Sequence, residues 1–416
     1  MGFLGKRRNM MKLRKWVSLG SVLLFNLCAV GAGEAWAGTF KAHDGAIADQ
    51  FIVIMNDRAN EAVAVDSTEM LARAYGGRLL RRYHHAVQGF AVTMRRTQAM
   101  ALSADPRVDL VEENVVAHPS GTQTQAPWAL DRIDQRYTPM DGSYSYGTTG
   151  FGVNAYIVDS GIRLDHAEFT GRAQLAVDFV GDGYNGWDCY GHGTKVAGLV
   201  GGVTYGVAKQ VNIFSVRVAD CSGVATLDRV IAAFDWLTYR HVKPAVVNLS
   251  YNFWTSNGTS NCALWGPVSA LDSAARGMLQ AGITLVNSAG NCGAPVNSSP
   301  ALASWDVIVA GASTFSSGDR RVNGTAYGYE VDAYAPGWYL QTASHLTSSA
   351  TTYFYYTSAA AGVTTGVISR YLQANPSATP TQVNNYINTT ATPGIVLDVP
   401  TSDSMARKLL YANPQQ

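Results

Sequence analysis

This 416-residue chain is short of charge, of cysteine and of long apolar runs, and each shortage removes a class of function. Only 15% of its residues are charged, and 31 Lys and Arg stand against 30 Asp and Glu, a net +1. Without a basic excess there is no electrostatic footprint for nucleic acid, and there is no acidic tail. Beyond the N-terminal segment no apolar run reaches the roughly 20 residues that a membrane-spanning helix needs. The five cysteines nowhere show CxxC spacing, which argues against zinc. Glycine is plentiful, at 41 residues, and with so little charge this suits a large, turn-rich, well-buried α/β domain.

The N-terminus reads as an export signal over residues 1–37: a basic stretch KRRNMMKLRK, the apolar run WVSLGSVLLFNLCAV, and a small-residue cleavage site ending at Ala37. The product is expected to be secreted and free of the membrane once the signal is removed. Four cysteines then remain, Cys189, Cys221, Cys262 and Cys292, an even number that reads as a disulfide framework in an exported chain. Three connectivities are open, as are free thiols; pairing Cys189 with Cys221 and Cys262 with Cys292 closes moderate loops.

Residues 45–118 differ in character from the remainder of the chain. DQFIVIMND alternates, STEMLARAYGG has helical spacing, HHAVQGFAVTM alternates, RRTQAMALSADP is helical and RVDLVEENVVAH is extended, a small β-α-β-β-α-β pattern of the ferredoxin-like kind. The polar run HPSGTQTQAP marks an exposed linker, assigned to residues 119–125. From residue 126 to 411 strand and helix signals alternate regularly, which predicts a mostly parallel sheet with helices on both faces. GVNAYIVDS, VNIFSVRVA, AVVNLSYN, GITLVNSAGN and DVIVAGAS are the strand candidates. TLDRVIAAFDWLTYR places Leu227, Val230, Ile231, Phe234 and Leu237 at helical spacing and reads as core packing.

Three motifs carry chemistry: VDSGI around Asp159, CYGHGTKVAG around His192 and YYTSAAAGVTTG around Ser358. A serine hydroxyl is hardly ionised at neutral pH and needs a base during attack. Imidazole titrates near neutrality, and a carboxylate on its far nitrogen fixes the tautomer and stabilises the imidazolium. Asp159, His192 and Ser358 can fill those roles, in that order along the chain. Asn291, in SAGN at the end of a predicted strand, can supply an amide donor to the oxyanion of acyl transfer, with the Ser358 backbone N–H as the second. An esterase of the α/β-hydrolase type is excluded, because no serine sits in GxSxG with the order Ser, Asp, His.

From about residue 126 to 411 the chain resembles the subtilisin-like serine proteases, in their proteinase K and aqualysin branch. The resemblance rests on PWALDRIDQR, GVNAYIVDSGIRLDHAEFTGRA, DCYGHGTKVAGLVGGVTYGVAK, VNIFSVRVADCSG, KPAVVNLSY and YLQANPSATPTQV. Residues 49–118 resemble the family's inhibitory propeptide in YGG at Tyr75, QGFAV at Gln88 and DPRVDLVEE at Asp105. The resemblance implies a secreted serine endopeptidase acting on protein or peptide substrates through an acyl-enzyme. It implies a monomer made as a zymogen, whose own propeptide serves as folding chaperone and inhibitor and is removed autocatalytically to start the mature enzyme near Gly121. It gives Asp159, His192, Ser358 and Asn291 their catalytic roles, and substrate-binding roles to Gly223, Ser250, Tyr251, Asn252, Ser288, Ala289 and Gly290. Asp131, Asp134, Gln135 and Asp332 match oxygen ligands of structural Ca2+ in the branch.

The sequence departs from the family at the substrate cleft. Tyr356 stands where the family has glycine before Thr-Ser, Gly362 where it has proline, and Ser250-Tyr251-Asn252-Phe253 where it has Ser-Leu-Gly-Gly. The edge strand reads Gly223-Val224-Ala225 in place of Gly-Ser-Gly, and Lys195 replaces a second histidine. These changes predict a reshaped pocket, and they leave a competing reading: a subtilase fold with lost or restricted proteolysis acting as a binding or surface module.

Overall fold

The computed structural model describes residues 38–43, 46–56, 64–115, 121–253, 268–296, 306–400 and 404–415. The export signal and Cys262 lie outside the described residues. The chain divides into two compact units, Met1–Asn114 and Val115–Gln416.

The first unit contains β1 (Thr39–Lys41), β2 (Gln50–Met55), α1 (Ala64–Ala74), β3 (Arg78–Tyr83), β4 (Gly89–Thr93), α2 (Arg96–Ser103) and β5 (Val108–Glu113). Its sheet runs β1-β5-β2-β4-β3. Strands β2 to β5 are paired antiparallel as the β-α-β-β-α-β pattern requires, and β1, unanticipated in sequence, adds parallel to β5. Alternation along β2 buries Phe51, Val53 and Met55 against Leu71, Phe90, Leu102 and Val111.

The second unit contains β6 (Gly121–Thr124), α3 (Trp128–Ile133), β7 (Ser143–Tyr146), β8 (Asn154–Asp159), β9 (Ala173–Asp178), α4 (His192–Gly201), β10 (Asn212–Arg217), α5 (Leu227–Arg240) and β11 (Ala245–Leu249). It continues with α6 (Ser269–Gln280), β12 (Thr284–Ser288), β13 (Ile308–Phe315), β14 (Asp319–Arg321), β15 (Ala333–Pro336), β16 (Leu340–Ala343), β17 (Thr351–Phe354), α7 (Tyr356–Ala374) and α8 (Pro380–Thr390). Residues 121–124 do not behave as a loose linker: their alternating, threonine-rich sequence pairs antiparallel with β7.

The main sheet has the order β14-β13-β12-β11-β8-β10-β9, with β15 beside β13. Every pairing in it is parallel except β13 with β14. Successive residues of β8 enter opposite layers. Ala155 and Ile157 pack on the side of α4 and α7 with Val196, Val200, Val363 and Val367, whereas Tyr156 and Val158 pack on the side of α5 and α6 with Phe234, Leu237, Leu271 and Met278. Helices therefore cover both faces, as expected of strands that read as continuous apolar runs. The same two-residue period gives Asp159, the last residue of β8, to the α4 and α7 side. Chain order reverses between β8 and β11, and a crevice at the carboxyl ends of such strands is where ligands bind in open α/β sheets.

Candidate active site

Asp159, Ser250 and Ser288 stand at or just past the ends of β8, β11 and β12, and two helix N-termini are brought to the same place. Helix α4 begins at His192. Gly191, at φ +99°, turns the chain into it, and a Cβ there would strike the His345 ring. A Cβ on Gly193 would overlap the Gly161 carbonyl and lie 3.0 Å from the Asp159 Cβ, so the GHG motif is a requirement for close approach between helix and strand.

His192 Nδ1 lies 2.8 and 2.9 Å from the two Asp159 oxygens, and Asp159 is fully buried. The Ser160 backbone N–H also donates to Asp159 Oδ1 at 2.7 Å. Phe354 stands edge-on to the imidazole at 5.2 Å between ring centroids, and Tyr251 is tilted against it at 5.6 Å. One residue that the sequence did not point to organises this corner. Asp188 Oδ1 accepts from Ser160 Oγ, Tyr190 N and Gly191 N, and its Oδ2 accepts from Thr194 N and Thr194 Oγ1. Its carboxylate thereby caps α4, where negative charge is favoured by the helix dipole. Its position four residues before His192 was the available signal. The neighbouring Cys189 is joined to Cys221, which carries the loop of Gly223. Cys292 is also disulfide-bonded.

Ser358 lies in the first turn of α7, a helix buried over most of its length. Its Oγ donates to the Ser250 carbonyl at 3.4 Å, so in this state the hydroxyl is turned to the strand end. Asn248 links that strand end to α7: its Nδ2 donates to Thr365 Oγ1 and its Oδ1 accepts from Ser250 Oγ. Asn291 Oδ1 accepts from both the backbone N–H and the hydroxyl of Thr357, at 3.1 and 2.7 Å. A backbone N–H can only donate, so the amide oxygen is fixed toward Thr357 and the Nδ2 group is left facing away from it. Tyr356 has φ +69°, the left-handed region in which glycine is at ease and a bulky residue costs about 1–2 kcal/mol. Gly362 sits where α7 meets α4, its missing Cβ 3.2 Å from the Val196 carbonyl.

His192, Ser358, Asn291, Gly223, Val224, Ala225, Ser250, Tyr251, Asn252 and Ser288 line one cleft of about 820 Å³, together with Tyr190, Phe253 and Cys292. Ala289 and Gly290, expected on its wall, lie between the lining residues Ser288 and Asn291 and are themselves buried. Ala289 packs with Val296, Val309 and Tyr334, and the Gly290 N–H donates to Thr357 Oγ1. Asn252 reaches across from one wall to the other, its Nδ2 at 3.4 Å from Ser288 Oγ. Tyr251 is largely buried; burial, and then the charge of Asp159, push its phenol above the ordinary range. Lys195 places its ammonium 5.3 Å from the centre of the Phe354 ring.

The expected calcium ligands divide differently. Asp332 accepts at Oδ2 from the Val309 N–H and at Oδ1 from Asn384 and Asn388, so it is a half-buried structural acceptor. Asp131 is occupied by Asp141 N, Gly142 N and the Gln135 amide. Asp134 Oδ2 accepts from Ser145 N, while its Oδ1 is buried without a partner among the described residues. Burial raises Asp134 to about 6. Calcium takes six to eight oxygens, and one uncommitted carboxylate oxygen among N–H donors does not fit it. The cluster Asp182, Cys189 and Cys221 is no metal site either, because both sulfurs are spent in the disulfide.

Comparison with known proteins bears on the family and the fold. Residues 150–408 match the subtilase family and residues 50–119 match peptidase inhibitor I9. The chain is 42% identical to the extracellular serine proteinase of Thermus sp. (strain Rt41A) over 77% of its own length and 75% of that protein. It is 31% identical to proteinase R of Parengyodontium album over 72% and 74% of the two chains. A crystal structure of a cold-adapted subtilisin-like serine proteinase superposes with a TM-score of 0.63 at 37% identity, covering 70% of this chain and 99% of that one. The chain belongs to the subtilase family of serine proteinases and carries an I9-type propeptide ahead of its α/β unit. Structural calcium is common in that family.

Proposed function

We propose that this chain is an exported, self-processing zymogen of a monomeric serine endopeptidase. In this reading residues 1–37 are the export signal, 45–118 the inhibitory propeptide, 119–125 the processing segment and 126–411 the catalytic domain. The observation that carries it is the buried carboxylate of Asp159 on His192 Nδ1, in a cleft that also holds Ser358 and the Asn291 amide.

With Nδ1–H donated to Asp159, the remaining nitrogen, Nε2, is the acceptor. As a substrate carbonyl enters, the Ser358 hydroxyl rotates from the Ser250 carbonyl and gives its proton to Nε2 while Oγ attacks; catalytic contacts of this kind often tighten only with substrate bound. The tetrahedral oxyanion is met by Asn291 Nδ2 and the Ser358 N–H. His192 then returns the proton to the leaving amine, and water repeats the sequence on the acyl-enzyme. Asp159 holds the tautomer throughout and stabilises the imidazolium.

Expression of the wild type beside Ser358→Ala tests this. The wild type should yield a product starting near Gly121 that a fluorophosphonate labels, and the variant should remain full length and unlabelled. A wild type that stays unprocessed and unlabelled would favour the module that has lost proteolysis.

A further inference from the structure

We infer that an exposed aromatic platform beside Ser358 binds the part of a polypeptide substrate that continues past the scissile bond, favouring aromatic and proline residues there. The inference rests on the endopeptidase reading above and extends it to a surface outside the cleft.

The platform is made of Trp338, Tyr339, Tyr353, Tyr355 and Tyr356, brought together by the hairpin β16–β17 and the start of α7. Alternation along β17 turns Phe354 inward onto His192 and leaves Tyr353 outward, and Tyr355 has the same parity as Tyr353. Tyr339 stacks on Tyr353 at 4.1 Å, Trp338 meets Tyr355 and Tyr356 edge-on at 5.1 and 5.3 Å, and Tyr339 meets Tyr355 at 5.8 Å. Despite these contacts Trp338, Tyr339, Tyr353 and Tyr356 remain 38%, 54%, 44% and 38% exposed, so most of their outer faces are free to meet a ligand.

A second, independent observation concerns the backbone. Tyr339 (φ +58°) and Tyr356 (φ +69°) both occupy the left-handed region. Bulky residues persist there against strain, and such strain gathers at functional sites. Glycine would relieve the strain at both positions, yet each carries an exposed ring.

The occupant follows from position and chemistry. None of the five side chains is charged at neutral pH, and ring faces of this kind take aromatic rings and the rings of proline. The cleft walls formed by residues 250–253, 288 and 291–292, with the edge at 223–225, would receive the acyl side of a substrate. None of the platform residues is among those lining that cleft, and Tyr356 lies two residues from Ser358 at the start of α7, so the platform is joined to the nucleophile from outside the cleft. A chain that presents its carbonyl to Ser358 leaves across it.

The test compares three substrates with the same acyl side: a peptidyl p-nitroanilide that ends at the scissile bond, a quenched peptide continuing with Tyr-Pro-Tyr, and one continuing with Ser-Gly-Ser. The wild type should prefer the Tyr-Pro-Tyr peptide by about tenfold in kcat/KM, mainly through KM, the effect of about two ring contacts. Tyr339→Ser combined with Tyr353→Ser should erase that preference while changing p-nitroanilide hydrolysis less than twofold. No preference in the wild type would overturn the inference, as would equal losses on all three substrates, which would make the rings a prop for the hairpin. Failure of the wild type to cleave any of the three would overturn the endopeptidase reading itself.

Discussion

Tyr251→Phe should make this protein more stable. Tyr251 stands on the cleft wall with its ring against His192, and its Oη is buried with no hydrogen-bond partner among the described residues. A buried, unsatisfied hydroxyl costs about 1–3 kcal/mol, whereas the ring contributes packing that phenylalanine keeps. The Asp159 carboxylate further disfavours ionisation of the phenol, so the hydroxyl stays neutral and gains nothing from charge. Removing it is expected to return about 1–3 kcal/mol. For a unit of this size that corresponds to a Tm rise of about 2–6 °C. The melt belongs in the Ser358→Ala background, where self-digestion cannot masquerade as unfolding, with wild-type Tyr251 and Tyr251→Leu measured alongside. Leucine removes the hydroxyl and the ring edge together and should gain less than phenylalanine. A fall in Tm on Tyr251→Phe would refute the reasoning, because it would mean that the hydroxyl is satisfied by a bound water or another group.

Asn291→Ala should lower kcat by about 10²–10³ with little change in KM, the loss known for this donor in subtilisin, the family's type enzyme. It should also cost about 1–3 kcal/mol of stability by stranding the Thr357 N–H, so kinetics and a melt are read together. Asp134 has a folded pKa near 6, above the unfolded value of 3.8, so the unfolded chain loses this proton first and stability falls as pH rises from about 4 to 6. Asp134→Asn should therefore raise stability at pH 8 by up to about 3 kcal/mol, read as a higher Tm, and have little effect at pH 4. Any EDTA-induced fall in Tm should be equal in the wild type and in Asp134→Asn, and a fall confined to the wild type would reinstate a cation at this oxygen. Replacing both Cys189 and Cys221 by serine should cost about 3–4 kcal/mol, the loop-closure value for a separation of 32 residues, and an unaltered melt would argue against it.

Much of the fold was legible because its signals are local. Apolar runs of strand length and one amphipathic helix period located β8, β10, β11, β12, β13 and α5, and the three small-residue motifs named the candidate triad in chain order. The elements missed were β1, β6, β7, β9, β14 to β17 and the helices α3, α6 and α8; the strands among them are short or partly exposed, and several, such as β1 on β5, take strand geometry from partners remote in sequence. The calcium assignment illustrates the same limit: Asp332 carries the right side chain in the right motif, but Asn384 and Asn388 on α8 have already taken its oxygen.

What the sequence determined by itself was the family and the layered α/β class, and it named the residues proposed as acid, base and hydroxyl, since residue type and spacing suffice for these. Only tertiary structure decided which way the Asn291 amide points, that Asp188 caps the histidine helix, that Tyr356 carries left-handed strain, and that five aromatic side chains form one surface beside Ser358. Those properties depend on distances between groups remote along the chain, and hydrogen-bond direction and ring contact are set by packing, to which a linear pattern is blind.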